Sequence, residues 1–285
     1  MGAPGHRKVF DGDHLQAHLF AQNGRRLFVS FSHMDPWRTG FPEARPVQRF
    51  VAAGLDHLQI LTARNDWYMN RDLPGLKAAL PELVAPYRRI LSMGFSMGGY
   101  AALLLSRPLR LDRVFLVSPQ VTPFSDLPPF DVRYRRHNPG IARDLQLGPG
   151  DIRAEMRGFV LYDPWHESKD AAHARLIEGL SPGLRGVRFP FGGHPAARML
   201  QEAGMWGQLQ DLLLNRKSDA ADLVALRRAA RRGSSQYMTR IAQAVAKRRA
   251  AQEVAPASPQ MIPDAGPQDS QVASQVVNGF GNSLP

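Results

Sequence analysis

The sequence predicts an α/β protein, a mostly parallel sheet with helices on both faces, and three observations lead there. Short runs rich in Val, Leu, Ile and Phe alternate along the chain with longer helical stretches, the rhythm of strand–helix–strand units. One run, Ile90-Leu91-Ser92-Met93-Gly94-Phe95, breaks at Ser96 and passes at once into the helix former Ala101-Ala102-Leu103-Leu104-Leu105. Finally, Ser96, Asp163 and the loop at Ser32 all fall at the carboxyl ends of predicted strands, where parallel sheets collect their chemistry.

Taken in order, strands are expected over 15–22, 27–31 and 57–62, the first closed by the turn signal Asn23-Gly24. Helices are expected over 47–53, stopped by Gly54, and over 73–87 despite Pro81. The serine strand and its helix follow, then strands at 114–118, 159–162 and 187–189 and a last helix of the fold over 195–215. Between 119 and 157 the rhythm fails, broken by Pro123, Pro128, Pro129, Pro139 and Pro149, so this stretch reads as a cap insertion over the strand ends. Its cluster Arg133-Tyr134-Arg135-Arg136-His137 reads as a surface for an anionic substrate, or as a solvated loop. Two further helices, 218–232 and 236–253, are joined at Gly233-Ser234-Ser235. The expected organisation is thus a domain over 1–216, a basic helical hairpin over 217–253 that docks on its own domain or on a protein partner, and a disordered tail over 254–285 rich in Pro, Ser and Gln.

Composition excludes several chemistries. The 285 residues contain no cysteine, so disulfides, thiolate metal sites and a cysteine nucleophile are ruled out. Gly98-Gly99 runs into Tyr100 where a phosphate-binding loop needs Gly-Lys-Ser/Thr, and Ser96 interrupts a dinucleotide fingerprint. The net charge of +11 is concentrated late: from Lys217 to Glu253 nine basic residues face three acidic ones. Without interleaved aromatics or bulky apolar anchors, that basicity argues against nucleic-acid or membrane-surface binding. No apolar stretch follows the first residues and none reaches membrane length, so a soluble, cytoplasmic protein is expected.

The chemistry centres on Gly94-Phe95-Ser96-Met97-Gly98, a G-x-S-x-G pattern in strand–turn–helix context. So sharp a turn brings the flanking positions together, which is why glycine occupies both, and it strains Ser96 so that its hydroxyl stands clear of the sheet edge. The Met97 N–H, at the helix N-terminus, then points toward an oxyanion formed there. A serine needs a base held in one tautomer. Of nine histidines, His194 follows a strand, sits behind Gly192-Gly193 and precedes Pro195, so its loop can reach over the sheet edge. His166 and His173 are expected at the surface or the rim. The orienting acid is expected at Asp163, at the end of the penultimate strand, with Asp170 as the alternative. Asp66 and Trp67, past the strand over 57–62, are placed to line the pocket with Tyr134 and Arg136, or serve as a buried aromatic with a capping Asp.

The order Ser96, Asp163, His194 and the run Gly94-Phe95-Ser96-Met97-Gly98-Gly99 resemble the α/β-hydrolases, in particular their esterases, thioesterases and small bacterial members, over about residues 15–215. The resemblance implies a serine hydrolase or acyltransferase acting on a small-molecule acyl substrate through an acyl-enzyme on Ser96, with no cofactor. It also implies a second oxyanion donor from the loop after the early strand. Here that loop reads Phe31-Ser32-His33-Met34, without the usual glycine, and the role passes to the backbone of Ser32 and His33. A binding or scaffolding protein on the same fold, with an idle serine, is the alternative from another class.

Overall fold

The structure is a computed structural model that describes residues 5–165 and 169–254, with backbone alone for 138, 139 and 251–254. In chain order it contains β1 (Gly5–Asp11), β2 (Leu15–Ala21), β3 (Arg26–Phe31), α1 (Gln48–Ala52), β4 (Asp56–Thr62), α2 (Leu73–Val84), β5 (Arg89–Phe95) and α3 (Met97–Leu104). There follow β6 (Arg113–Val117), β7 (Arg157–Tyr162), α4 (Asp170–Leu180), β8 (Leu184–Arg188), α5 (Arg198–Glu202), α6 (Trp206–Leu214), α7 (Ala220–Ala230) and α8 (Ser235–Val254). The strands form one eight-stranded sheet in the order β1-β2-β4-β3-β5-β6-β7-β8. β2 pairs antiparallel with β1 and β4, and every pairing from β4 to β8 is parallel.

The period-2 pattern of the strands builds two cores at once. Val114 and Leu116 of β6 join one apolar layer, Phe115 and Val117 the other. Val160 and Phe159 of β7 divide in the same way, as do Val29 and Phe28 of β3. On one face lie α2, α3 and α4; Leu73, Leu76, Leu80 and Val84 give α2 its single buried stripe. On the other lie α1, α5, α6 and α7. The chain leaves β3 through α1 on one face and returns from β4 through α2 on the other. The carboxyl ends of β3 and β5 therefore flank the crevice where the sheet's connections reverse.

Several expectations are corrected. β1 was not foreseen: its sequence, GHRKVFD, is that of a charged, exposed edge strand, which carries little apolar signal. The helix expected over 195–215 is two, α5 and α6, parted at Gly204, whose φ of +67° ends the first. The insertion expected as a cap is packed into the core: Phe124, Tyr134, Ile152 and Met156 are buried in the layer that also holds α2 and α3. Of the hairpin expected over 217–253, α7 and the start of α8 dock on their own domain, so no boundary falls at 216. A compact unit runs Met1–Ala244, and in it Leu223, Leu226 and Ala230 of α7 and Tyr237 of α8 are buried with Phe115 and Val187. The start of α7 is secured by Asp219, whose carboxylate accepts from the N–H groups of Ala221 and Asp222. A second unit is Val245–Pro285. The tail expected over 254–285 lies, beyond Val254, outside the described residues. Among the described residues, no helix is long and apolar enough to cross a membrane.

One buried histidine links this core to pH. His57 of β4 is fully buried, its Nδ1 accepts from the Val47 N–H at 3.2 Å, and its Nε2 lies 2.7 Å from Ser30 Oγ. Burial pushes it down to about 3. In the unfolded chain it binds a proton near its ordinary value, so its contribution favours the folded state at neutral pH and shrinks as pH falls below about 6.5. Lowering the pH from 7 to 5 is expected to cost about 2 kcal/mol at this group alone. Urea denaturation should show a shallower pH slope in His57→Gln than in wild type.

Candidate active site

Ser96 stands between β5 and α3 with φ 49° and ψ −118°, a conformation that strains any residue but glycine. The reason is packing. A Cβ at Gly94 would lie 2.6 Å from the Gly98 carbonyl oxygen, and one at Gly99 would lie 2.8 Å from the Pro119 side chain. At Gly98 it would be 3.2 Å from the Phe31 side chain and from the Ser32 carbonyl oxygen, so the end of β3 crosses the first turn of α3. The strand, the turn and the helix can close only on glycine.

Around the Ser96 hydroxyl the chain brings together three loops. His194, beyond β8, places Nε2 3.0 Å from Ser96 Oγ, and its Nδ1 is 2.8 Å from Asp170 Oδ2. The carboxylate facing the imidazole is thus Asp170, the first residue of α4, and not Asp163. This is a correction with a clear cause. Asp163 is spent on backbone, accepting from the N–H groups of Trp165 at 3.0 Å and Gly193 at 2.8 Å, and so holds the loop that carries the histidine. Burial would raise the Asp170 carboxyl, but the His194 hydrogen bond and charge, the Arg133 guanidinium and the Ser118 hydroxyl outweigh it and hold it at about 2.

This arrangement, an eight-stranded sheet with a strained serine after β5, an acid after β7 and a histidine after β8, decides the architecture. The chain has the α/β-hydrolase fold. No protein-family model matches the sequence, nor does any curated protein. Among solved structures it is similar to an α/β-hydrolase enzyme from a Medee basin deep-sea metagenome library, at 14% identity over 88% of this chain and 98% of that one, with a TM-score of 0.47. It is also similar to the capsule O-acetyltransferase of Neisseria meningitidis serogroup A, at 13% identity, 72% and 94% coverage and a TM-score of 0.47. A serine hydrolase from Cycloclasticus zankles is similar at 12% identity, 74% and 97% coverage and a TM-score of 0.46. Strand order and the serine turn, not these scores, carry the assignment.

Within the α/β-hydrolase frame the other expected residues fall into distinct places. Met97 is the first residue of α3, so its N–H has no intrahelical partner. Ser32 is not available as an oxyanion donor: its N–H donates to the Ile60 carbonyl at 3.2 Å, and its hydroxyl is engaged by Tyr68 and by the Thr62 N–H. His33 follows directly and lines a cleft of about 500 Å³ with Phe95, Pro195, Ala197, Arg198, Gln201 and Trp206. The open space beside the serine turn therefore lies between the β3 loop and α5–α6, with the Phe95 and Trp206 rings packed 5.3 Å apart in its wall.

Asp66 does not face that cleft; its carboxylate is buried and accepts from Thr62 Oγ1, the Tyr68 N–H and Asn70 Nδ2, which shapes its own loop. Trp67 is fully buried, its ring 4.8 Å from that of Tyr134. Tyr134 is buried too, and its side chain hydrogen-bonds with Ser96. Arg136 is exposed on a separate surface hollow with Arg135 and His137. Of the histidines expected outside the site, His166 lies outside the described residues and His173 is fully buried.

Two contributors, Gln120 and Ser118, were not foreseen, and a third, Arg133, was expected to face a substrate or solvent. Gln120 is fully buried, and Trp67 Nε1–H donates to its Oε1 at 3.2 Å. That fixes the amide so that its Nε2 donates to the Ser118 carbonyl at 3.0 Å and to Ser96 Oγ at 3.2 Å. Ser118, with φ 47°, accepts from the Ala196 N–H at 3.0 Å while its hydroxyl reaches Asp170, so it ties acid and histidine loop together. Arg133 turns inward from the insertion onto Asp170. The available signal was position, since Ser118 and Gln120 directly follow β6 at the carboxyl edge of the sheet, beside the serine turn. Among the described residues, no three His, Asp or Glu side chains are grouped to hold a metal ion.

If the close packing at Gly94 sets the serine turn, one methyl group should disturb it. Gly94→Ala is expected to lower the midpoint of thermal unfolding by several degrees, or to abolish soluble expression, because the clash is with backbone that cannot swing aside. Calorimetry against wild type checks this.

Proposed function

We propose that the protein is a serine hydrolase that cleaves an ester or thioester through an acyl-enzyme on Ser96, with His194 as base and Asp170 as its orienting acid. The observation that supports this reading most is the continuous line Ser96 Oγ–His194 Nε2 at 3.0 Å and His194 Nδ1–Asp170 at 2.8 Å, starting at a strained serine beside an open cleft. In the first half-reaction Ser96 Oγ bonds to the carbonyl carbon and its proton passes to His194 Nε2, while the carbonyl electron pair moves onto oxygen. The Met97 N–H, with the backbone of His33 as second donor, receives that oxyanion. The C–O or C–S bond then breaks, and the leaving alcohol or thiol takes the proton from His194. Water repeats the sequence on the acyl-enzyme and frees the acid. Throughout, the Nδ1 proton stays on the ring, donated to an ionised Asp170 that fixes the tautomer and stabilises the imidazolium.

A fluorophosphonate probe tests the reading without a known substrate. Wild type should be labelled and Ser96→Ala should not; a folded wild type that resists the probe would overturn the proposal and favour a binding role for the fold. On an activated ester, Asp170→Asn is expected to lower kcat by roughly a thousandfold or more, whereas Asp163→Asn, which loosens a turn, should lose about tenfold. The reverse ranking would return the acid role to Asp163. Product analysis with added alcohols separates hydrolysis from acyl transfer, since both draw on one intermediate.

A further inference from the structure

We propose that Arg133, carried by the insertion, is a positioning residue of the catalytic line: it clamps the outer oxygen of Asp170 and, through Asp131 and His173, anchors that carboxylate to the fold. The proposal rests on the serine-hydrolase reading for its meaning in catalysis, and on geometry for its existence. Arg133 Nη2 donates to Asp170 Oδ1 at 2.9 Å, leaving Oδ2 for His194. The same guanidinium grips Asp131, with Nε 3.0 and 2.9 Å from its two oxygens and Nη2 at 2.6 Å. Asp131 in turn lies 3.2 Å from His173 Nε2, and His173 Nδ1 accepts from the Val121 N–H at 3.1 Å. Because Nδ1 is an acceptor there, Nε2 carries the proton and His173 is a neutral donor, the form that its burial also favours.

The charge count explains why such a clamp is needed. Asp131 and Asp170 are both almost wholly buried, at 2% and 1% exposure. Two carboxylates sharing one dry region repel, and one would take up a proton unless a cation lay between them. Arg133 is that cation. A planar fork holds both in fixed geometry, whereas a lysine supplies the charge without the fork. An ionised, immobile Asp170 is the state in which His194 keeps one tautomer and one ring orientation. Arg133 also sits 5.0 Å from the ring of its chain neighbour Tyr134, so the residue that touches Ser96 and the one that holds Asp170 are adjacent and in contact. The insertion thereby completes the catalytic geometry from behind the acid.

The charged and titratable groups facing His194 and Asp170 from the surrounding elements are Arg133, Asp131 and Tyr134 of the insertion and His173 of α4. Asp163 lies below the loop, and Arg240 of α8 lies beside Gly193. Of these groups the test changes only Arg133 and Asp131, and its control changes the exposed Arg135. The rate of fluorophosphonate labelling is measured against pH in full-length wild type, Arg133→Met, Arg133→Lys and Asp131→Asn, with the exposed Arg135→Met as control. Removing the cation should move the acid limb of the profile up by roughly half a pH unit or more and cut the plateau rate at least tenfold. Asp131→Asn, which leaves Arg133 with one carboxylate fewer, should move the limb down. Lysine should restore the limb but only part of the plateau, and Arg135→Met should match wild type. The low-field proton resonance of the His194–Asp170 hydrogen bond supplies a readout that needs no turnover: it should shift or vanish in Arg133→Met and persist in Arg133→Lys. Should Arg133→Met not fold, the limb in Asp131→Asn decides the matter: a downward shift supports the clamp and an unmoved limb overturns it. Limbs and resonance unchanged in folded variants would overturn the proposal. A wild type that shows the expected resonance changes in its variants but resists the probe would leave the clamp standing and remove the hydrolase reading instead.

Discussion

There is no room for a side chain between the end of β5 and the first turn of α3, and the rest of the site follows from that. Because Gly94, Gly98 and Gly99 let backbone meet backbone, the chain reverses from strand to helix within one residue, and that residue must be Ser96 in a left-handed conformation. Its hydroxyl is then held over the sheet edge, and the loop residues around it follow the strands in turn: His33 follows β3, Gln120 β6, Asp170 β7 and His194 β8, while Arg133 and Tyr134 come from the insertion. A strained turn of this kind persists only when its surroundings over-determine it. The two apolar layers on either face of the sheet supply that determination.

Much of this was legible in the residues themselves. Buried strands such as β6 announce themselves by runs of Val, Leu and Phe, and the serine turn by glycines whose absence would make the packing impossible. His194 could be placed because glycines behind it and a proline after it mark a loop at a strand end. What could not be read is informative. β1 is an edge strand whose charges hide its period. Asp163 and Asp170 are both near the end of β7, and which one turns toward the histidine depends on backbone donors at Trp165 and Gly193, a contact between loops distant in the chain. Arg133 looked like one of several exposed cations, and only the fold reveals that a buried pair of carboxylates waits for it.

The site is also asymmetric in a way that bears on what enters it. On one side of Ser96 the buried, interlocked groups Trp67, Gln120 and Tyr134 form a polar wall whose orientation is set by a single indole donor. On the other side a cleft lined by Phe95, Pro195 and Trp206 opens toward Arg198 and Gln201.

The loop carrying His194 is roofed by residues that come late in the chain. Phe191 packs 4.9 Å from Trp165 and 5.9 Å from Tyr237, and the space beside Gly193 is filled by Arg240 and Gln236. Because the ribosome delivers the chain from its N-terminus, the sheet and the serine turn can assemble well before that roof exists. The loop that carries His194 therefore gains its backing last, when Gln236, Tyr237 and Arg240 come to lie beside Phe191 and Gly193.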